Sequence, residues 1–279
     1  METEAYKPKR LLKTIHCSTA LSCDAETMSQ RRFTIFRTNS ENGFTLVELS
    51  IVLVIVALLV GGMLIPLSAQ RDIQNTNETQ RQLASINEAL LGFAAANGRL
   101  PCPASPATSG TENPASGGAC INTWDGFVPA VTLGITPTNA QGYVIDSWGN
   151  PIRYAVTTAN SNAFTTANGM SAAWVAATVL APDLRVCNTA TGLTGSGALA
   201  ECAASTQLST TAVAVIFSRG ENGGVAPSSV DESANGDTDR LFVSHTPTPA
   251  DGGNEFDDLV TWLSPNILYN RMITAGKLP

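Results

Sequence analysis

Histidine is nearly absent from this chain of 279 residues: there are two, His16 and His245. Past residue 43 a Ser-His-Asp or Cys-His arrangement would have to use His245, which lies in the turn-like stretch Ser244-His245-Thr246-Pro247 and reads as a surface loop. The chain also lacks a P-loop, a dinucleotide glycine string and a His-Glu-x-x-His helix. Ser218-Arg219-Gly220 does not form a nucleophile elbow. No Cys-x-x-Cys pair occurs, so a zinc site lacks its usual ligands. These absences predict a non-enzyme. Basic residues are scarce as well: 16 Lys and Arg stand against 23 Asp and Glu, and past residue 43 the balance is 9 against 18. Such a surface gives no electrostatic footprint for nucleic acid, so no direct nucleic-acid partner is expected.

What the chain does have is an apolar run over residues 44–65, FTLVELSIVLVIVALLVGGMLI, ending at Pro66. At 1.5 Å per helical residue it is long enough for a hydrocarbon core of roughly 30 Å. A removable signal has a shorter apolar core and a small-x-small site after it. Here Gly61 and Gly62 lead on into Met63, Leu64 and Ile65, so the run is expected to stay as a single-pass anchor. Arg31, Arg32 and Arg37 on the near side predict that this end faces the cytoplasm and that everything past Pro66 lies outside it. One residue needs a reason. Glu48 is an acid within an apolar run, at a cost on the order of 2.5 to 3.5 kcal/mol if it sits at mid-membrane, and such residues are usually functional.

The string Gly43-Phe44-Thr45-Leu46-Val47-Glu48-Leu49 resembles the processing site of type IV pilins and type II secretion pseudopilins. The resemblance implies that a prepilin peptidase cuts after Gly43, that Phe44 becomes the N-methylated terminus, and that Glu48 is the assembly residue. It further implies an inner-membrane precursor, other pilin or pseudopilin subunits and an assembly platform as partners, and a filament as the destination. A carboxylate buried among apolar helices is tolerable when a neighbour's terminal ammonium pairs with it, and removal of one member of a buried pair typically costs about 3 to 5 kcal/mol. A leader of residues 1–43 is long, and Met28 offers an internal start; with that start His16, Cys17 and Cys23 would belong to no protein.

Beyond Pro66 the positions Ile73, Leu83, Ile86, Leu90 and Phe93 have partial helical spacing, and Asn97-Gly98 followed by Pro101 is a stop signal. The division expected is a leader (1–43), a membrane and assembly helix (44–66), its amphipathic continuation (67–98) and a β-rich head (99–279). Gly61, Gly62 and Pro66 mark where the helix should weaken. Strands are expected at 152–157, 173–180, 212–218, 241–244 and 259–263, where β-branched and aromatic residues concentrate. Ser264-Pro265 should then start a closing helix whose face is Ile267, Leu268, Met272 and Ile273 and whose stop is Gly276. The fold class expected is α+β: a long N-terminal helix packed on a mainly antiparallel sheet, as in pilins. The turn 146–151, Asp-Ser-Trp-Gly-Asn-Pro, is similar to a pseudopilin element and reads as structural.

Four cysteines follow the leader, Cys102, Cys120, Cys187 and Cys202. An even number in an exported domain predicts two disulfides; three pairings are open, and nearest neighbours are the expectation. Asp231, Ser233, Asn235, Asp237 and Asp239, with Gly236, follow the oxygen-ligand order of an EF-hand loop. Phe242 stands where the bidentate Glu belongs, so calcium would need Glu255, Asp257 or Asp258 as well. The sequence requires no cofactor; some pseudopilins hold calcium near the C-terminus, so the resemblance leaves Ca2+ open here beside the alternative of an acidic solvated turn. The function expected is that of a minor pilin or pseudopilin. The alternatives are an adhesive pilin head, through its Thr- and Ser-rich loops, and a membrane-anchored exported enzyme.

Overall fold

The computed structural model describes residues 43–227, 229–249 and 253–279, and of 62–69 the backbone alone. The expectations for Met28, His16, Cys17, Cys23 and the three leader arginines lie outside the described residues. The chain divides into two compact units, residues 1–56 and 57–279.

In the first unit the helix α1 (Leu46–Asn97) begins immediately after Thr45. Its apolar side chains in this unit are exposed, from Leu46 at 86 % to Val56 at 48 %. Helical backbone continues through Gly61, Gly62 and Pro66, although a proline donates no bond there. Among the described residues no helix is long and apolar enough to cross a membrane. The anchor expected over 44–66 runs onto residues 62–66, whose side chains lie outside the described ones.

In the second unit the latter part of α1 becomes amphipathic and docks. Leu83, Ile86, Leu90, Leu91 and Ala94 are buried at steps of three, four, one and three, which is one helix face. Ile73, expected on that face, is 62 % exposed, because the first buried side chain of this stretch is Thr79. The helix stops where Asn97-Gly98 leads it to stop: Gly98 adopts φ 71° and its N–H returns to the Ala94 carbonyl at 2.8 Å.

The head then forms β1 (Gly126–Phe127), a single-turn α2 (Ala130–Leu133) and β2 (Arg153–Val156). A tight turn labelled α3 (Ala159–Asn162) and the short helix α4 (Gly169–Val175) come next, followed by β3 (Leu184–Cys187), β4 (Gln207–Ala212) and β5 (Ala214–Ser218). The chain closes with α5 (Val230–Asn235), β6 (Leu241–Val243), β7 (Leu259–Leu263) and α6 (Pro265–Thr274). Two sheets result. One has the order β1-β2-β5-β7 and is antiparallel throughout, with Tyr154 opposite Ile216 and Ile216 opposite Thr261. The other, β4-β3-β6, is antiparallel between β3 and β4 but parallel between β3 and β6.

Alternation along the central strands explains the layering. Tyr154, Val156, Ala214 and Ile216 face the α1 stripe, together with Leu268 and Met272 of α6. Ala155, Val215 and Phe217 point the other way and meet Leu184, Val186 and Phe242 of the second sheet. The order is helices, first sheet, second sheet, and β5 is buried on both faces.

Two expectations are corrected. Residues 173–180 are not a strand: α4 and a turn occupy them, since the run is rich in alanine and most of it is exposed, without a sheet to join. The closing helix forms with Pro265 in its first turn, but only Leu268 and Met272 are buried, while Ile267 and Ile273 are 54 % and 46 % exposed.

Candidate assembly segment and acidic site

The N-terminal segment is built from its cap upward. Thr45 Oγ1 accepts the Glu48 N–H at 3.2 Å, and the Thr45 carbonyl accepts the Leu49 N–H at 3.1 Å, so Thr45 caps α1 and Glu48 stands three residues in. Thr-x-x-Glu is the spacing of a capping box, and an acid in the first turn also meets the positive end of the helix dipole. The cap itself is Thr45, which sequence reasoning missed although the spacing was there to read; the bond observed is to the Glu48 backbone. The Glu48 side chain is exposed, as are Phe44 and the apolar residues that follow. The unit thus presents a bare apolar helix whose one acid lies beside its start.

A family model, the prokaryotic N-terminal methylation motif, matches residues 38–64. The chain carries the type IV pilin and pseudopilin signal. Gly43, Phe44 and Glu48 all fall inside the matched residues, and so does every exposed apolar side chain of the first turns of α1. No curated protein and no solved structure matches the chain. A pilin-type signal points to a structural subunit rather than an enzyme, made as a membrane-associated precursor.

Among its described residues the head holds one group of acids that could act together. Glu232, Asp257 and Asp258 bring carboxylate oxygens within 4.8 Å of one another. Glu232 is placed by α5, whose cap is Ser229 Oγ accepting the Glu232 N–H at 3.2 Å. Asp257 and Asp258 come from the segment entering β7. Asn222 ties two of the three together: its N–H reaches Asp257 Oδ2 at 3.0 Å and its Nδ2 reaches Glu232 Oε1 at 2.9 Å. Asp258 accepts Asn235 Nδ2 at 2.7 Å, and Asn235 also pairs with the backbone of Val243 in both directions. Asp257 Oδ1 is buried, and no donor among the described residues reaches it. Burial raises the Asp258 carboxyl to about 7, with Asp257 and Glu232 adding to the rise and Asn235 and Arg219 opposing it. Burial likewise raises Asp257 to about 6.

The structure does not gather the five loop residues predicted from the EF-hand order. Asp231, Ser233 and Asn235 lie on α5, where residues two apart point in different directions. Asp231 accepts the Ala190 N–H and faces His245 Nε2 at 3.2 Å; Ser233 Oγ donates to the Ser229 carbonyl. Asp237 and Asp239 accept the N–H groups of Asp239 and Leu241. Only Asn235 reaches the acidic trio. Glu232 was missed because a loop pattern counts every second residue, whereas a helix brings 232 and 235 together. Of the extra donors expected, Asp257 and Asp258 are in the trio and Glu255 is not.

His245 is not a loose loop residue. Its ring stacks on Phe256 at 3.9 Å and is held by Asp231. The disulfides join Cys102 to Cys120 and Cys187 to Cys202. The first closes a loop fixed also by Arg99, which donates to both Glu112 oxygens at 2.8 Å within the protein interior. The turn at 146–151 serves the core: Asp146 accepts the N–H groups of Trp148 and Asn150, and Thr79 of α1 donates to Ser147 Oγ at 3.1 Å.

Proposed function

We propose that the chain is a minor pilin or pseudopilin, cut by a prepilin peptidase after Gly43 and N-methylated at Phe44. The single observation that carries the reading is that the methylation motif coincides with a capped, exposed apolar helix containing one acid, Glu48. In this reading the helix over 44–66 holds the precursor in the inner membrane with its N-terminus in the cytoplasm. The head, beginning at residue 99, then lies on the far side. On assembly the apolar residues pack against those of other subunits, and removing them from water or lipid leaves Glu48 in a medium where an unpaired charge is costly. The terminal ammonium of a neighbouring subunit is the group that pairs with it and fixes register.

Glu48 also stands in the first turn of α1, three residues after the Thr45 cap, so its charge and its place in the helix have to be separated. Glu48→Gln keeps a side chain that can complete the cap and removes the charge. The expected outcome is a precursor still cut after Gly43 and still folded, but absent from sheared filaments or from the cross-linked pseudopilus. Incorporation at the wild-type level would defeat the pairing.

Calcium is part of the proposal, with Glu232, Asp257 and Asp258 as its carboxylate donors. Three acidic groups and the orphaned Asp257 Oδ1 suit a hard divalent cation, which would offset charge the fold otherwise leaves crowded. These residues join α5 to the entry of β7, so the ion would brace the head.

A further inference from the structure

The segment that leads into β1 is fixed at three places. Cys120 is joined to Cys102, the Thr123 carbonyl accepts the Val156 N–H at 2.9 Å, and Gly126 lies opposite Tyr154. Trp124 sits among these ties and packs against the core between the two sheets. It also lines a hollow of about 260 Å3, together with Ile121, Asn122, Thr123, Asp125 and Thr238. The bonding groups there are largely uncommitted. Among the described residues nothing bonds the side chain of Asn122 or of Thr238, and the buried Nε1–H of Trp124 meets no acceptor. An indole N–H usually finds a partner when it is buried, and one left without it by the protein points to a group from outside.

We propose that this hollow binds the terminal neutral hexopyranose of a glycan, with its C–H face on the Trp124 ring. Size limits the ligand to one ring, since drug-sized molecules need about 300 Å3 or more. Charge narrows it further. No lysine or arginine lines the hollow, which disfavours phosphates and acidic sugars, and the one charged lining residue, Asp125, is already paired with Arg153. A cation would ask for a cage of several aromatic rings, and a single ring lines the site. What the site offers is hydrogen bonding in both senses. The Asn122 amide and the Thr238 hydroxyl donate and accept, the indole N–H donates, and Asp125 Oδ2, the oxygen Arg153 leaves free, accepts. Pyranose hydroxyls answer both senses around the rim of an apolar face. The packing of Trp124 on the core and the ties of its segment hold the platform in place before the sugar arrives, so little ordering is left to be done on binding. The inference rests on the head alone and is independent of how the N-terminal helix assembles.

The test uses the full chain in micelles of a detergent without a sugar head group, read by saturation-transfer difference NMR. The probes are the methyl glycosides of galactose, glucose and mannose, whose blocked anomeric carbon reproduces a glycan end; choline and N-acetylglycinamide stand for a cation and a peptide amide. At least one glycoside is expected to bind, with the strongest transfer to its ring C–H protons, and the other two probes more weakly or not at all. Asn122→Ala and Thr238→Val each remove a bonding group that the fold does not use and should raise Kd several-fold, up to about tenfold. Trp124→Phe keeps an aromatic ring against the core, removes the N–H and shrinks the platform, and should weaken binding as well. Absence of transfer to all three glycosides would overturn the proposal. So would equal binding of choline or N-acetylglycinamide, or an unchanged Kd in Asn122→Ala with Thr238→Val.

Discussion

Asp258→Asn should make this protein more stable above neutral pH and flatten its response to pH. In the fold Asp258 titrates near 7, whereas an unfolded aspartate titrates near 3.8. Between those values the folded chain holds a proton that the unfolded chain has released. Stability therefore falls as pH rises from about 4 to about 7 and is level beyond it. At roughly 1.4 kcal/mol per pH unit the loss from this one group is on the order of 4 kcal/mol. Asp257 shifts in the same direction but by less and is only partly buried, so its share is smaller. The asparagine cannot ionise, fits the same space and can still accept from Asn235 Nδ2. Urea denaturation of the full chain in micelles, followed by tryptophan fluorescence with chelator present, gives the comparison. The wild type is expected to lose stability across the pH window and the variant to lose several kcal/mol less. Calcium in excess should reverse the order above neutral pH, because an ion held by three carboxylates stabilises the wild type by mass action and finds a poorer site in the variant. If Asp258→Asn leaves the slope unaltered, or lowers stability in alkaline buffer without calcium, the charge crowding inferred at the trio is wrong.

Arg99→Met removes the partner of Glu112 while preserving much of the buried stem, and an uncompensated carboxylate should cost about 3 to 5 kcal/mol at neutral pH by chemical denaturation. Part of that loss should return in Arg99→Met with Glu112→Gln. Replacing Cys187 and Cys202 together by serine opens a loop of sequence separation 15 and should lower stability by about 3 kcal/mol, read as a drop in the denaturation midpoint that reductant reproduces in the wild type.

How much of this was legible in the sequence depends on whether the signal was local. The helix stop at Asn97-Gly98, the buried run Leu83, Ile86 and Leu90, and the strand content of 214–218 and 259–263 follow from spacing and residue type. The second sheet was not legible: β4 is polar and exposed, and β3 is four residues long, so neither shows the alternation that marks a strand. Its parallel pairing of β3 with β6 joins residues more than fifty apart, which no local pattern encodes. The acidic site failed for a different reason. Its carboxylates at 257 and 258 lie about 25 residues from Glu232, and the intervening D-x-S-x-N order drew attention to residues whose oxygens are already used by the backbone or by one another. Thr45 is the opposite case, a cap plain in the sequence yet overshadowed by the acid three residues later.

Thr79 is the first residue of the docked stretch of α1 to be enclosed, and the residues at 70–78 leave no side chain in the core. Local opening of those two turns therefore exposes no core side chain: a protease acting there meets helix propensity and a few local contacts, a few tenths of a kcal/mol per residue, rather than the burial that holds the domain.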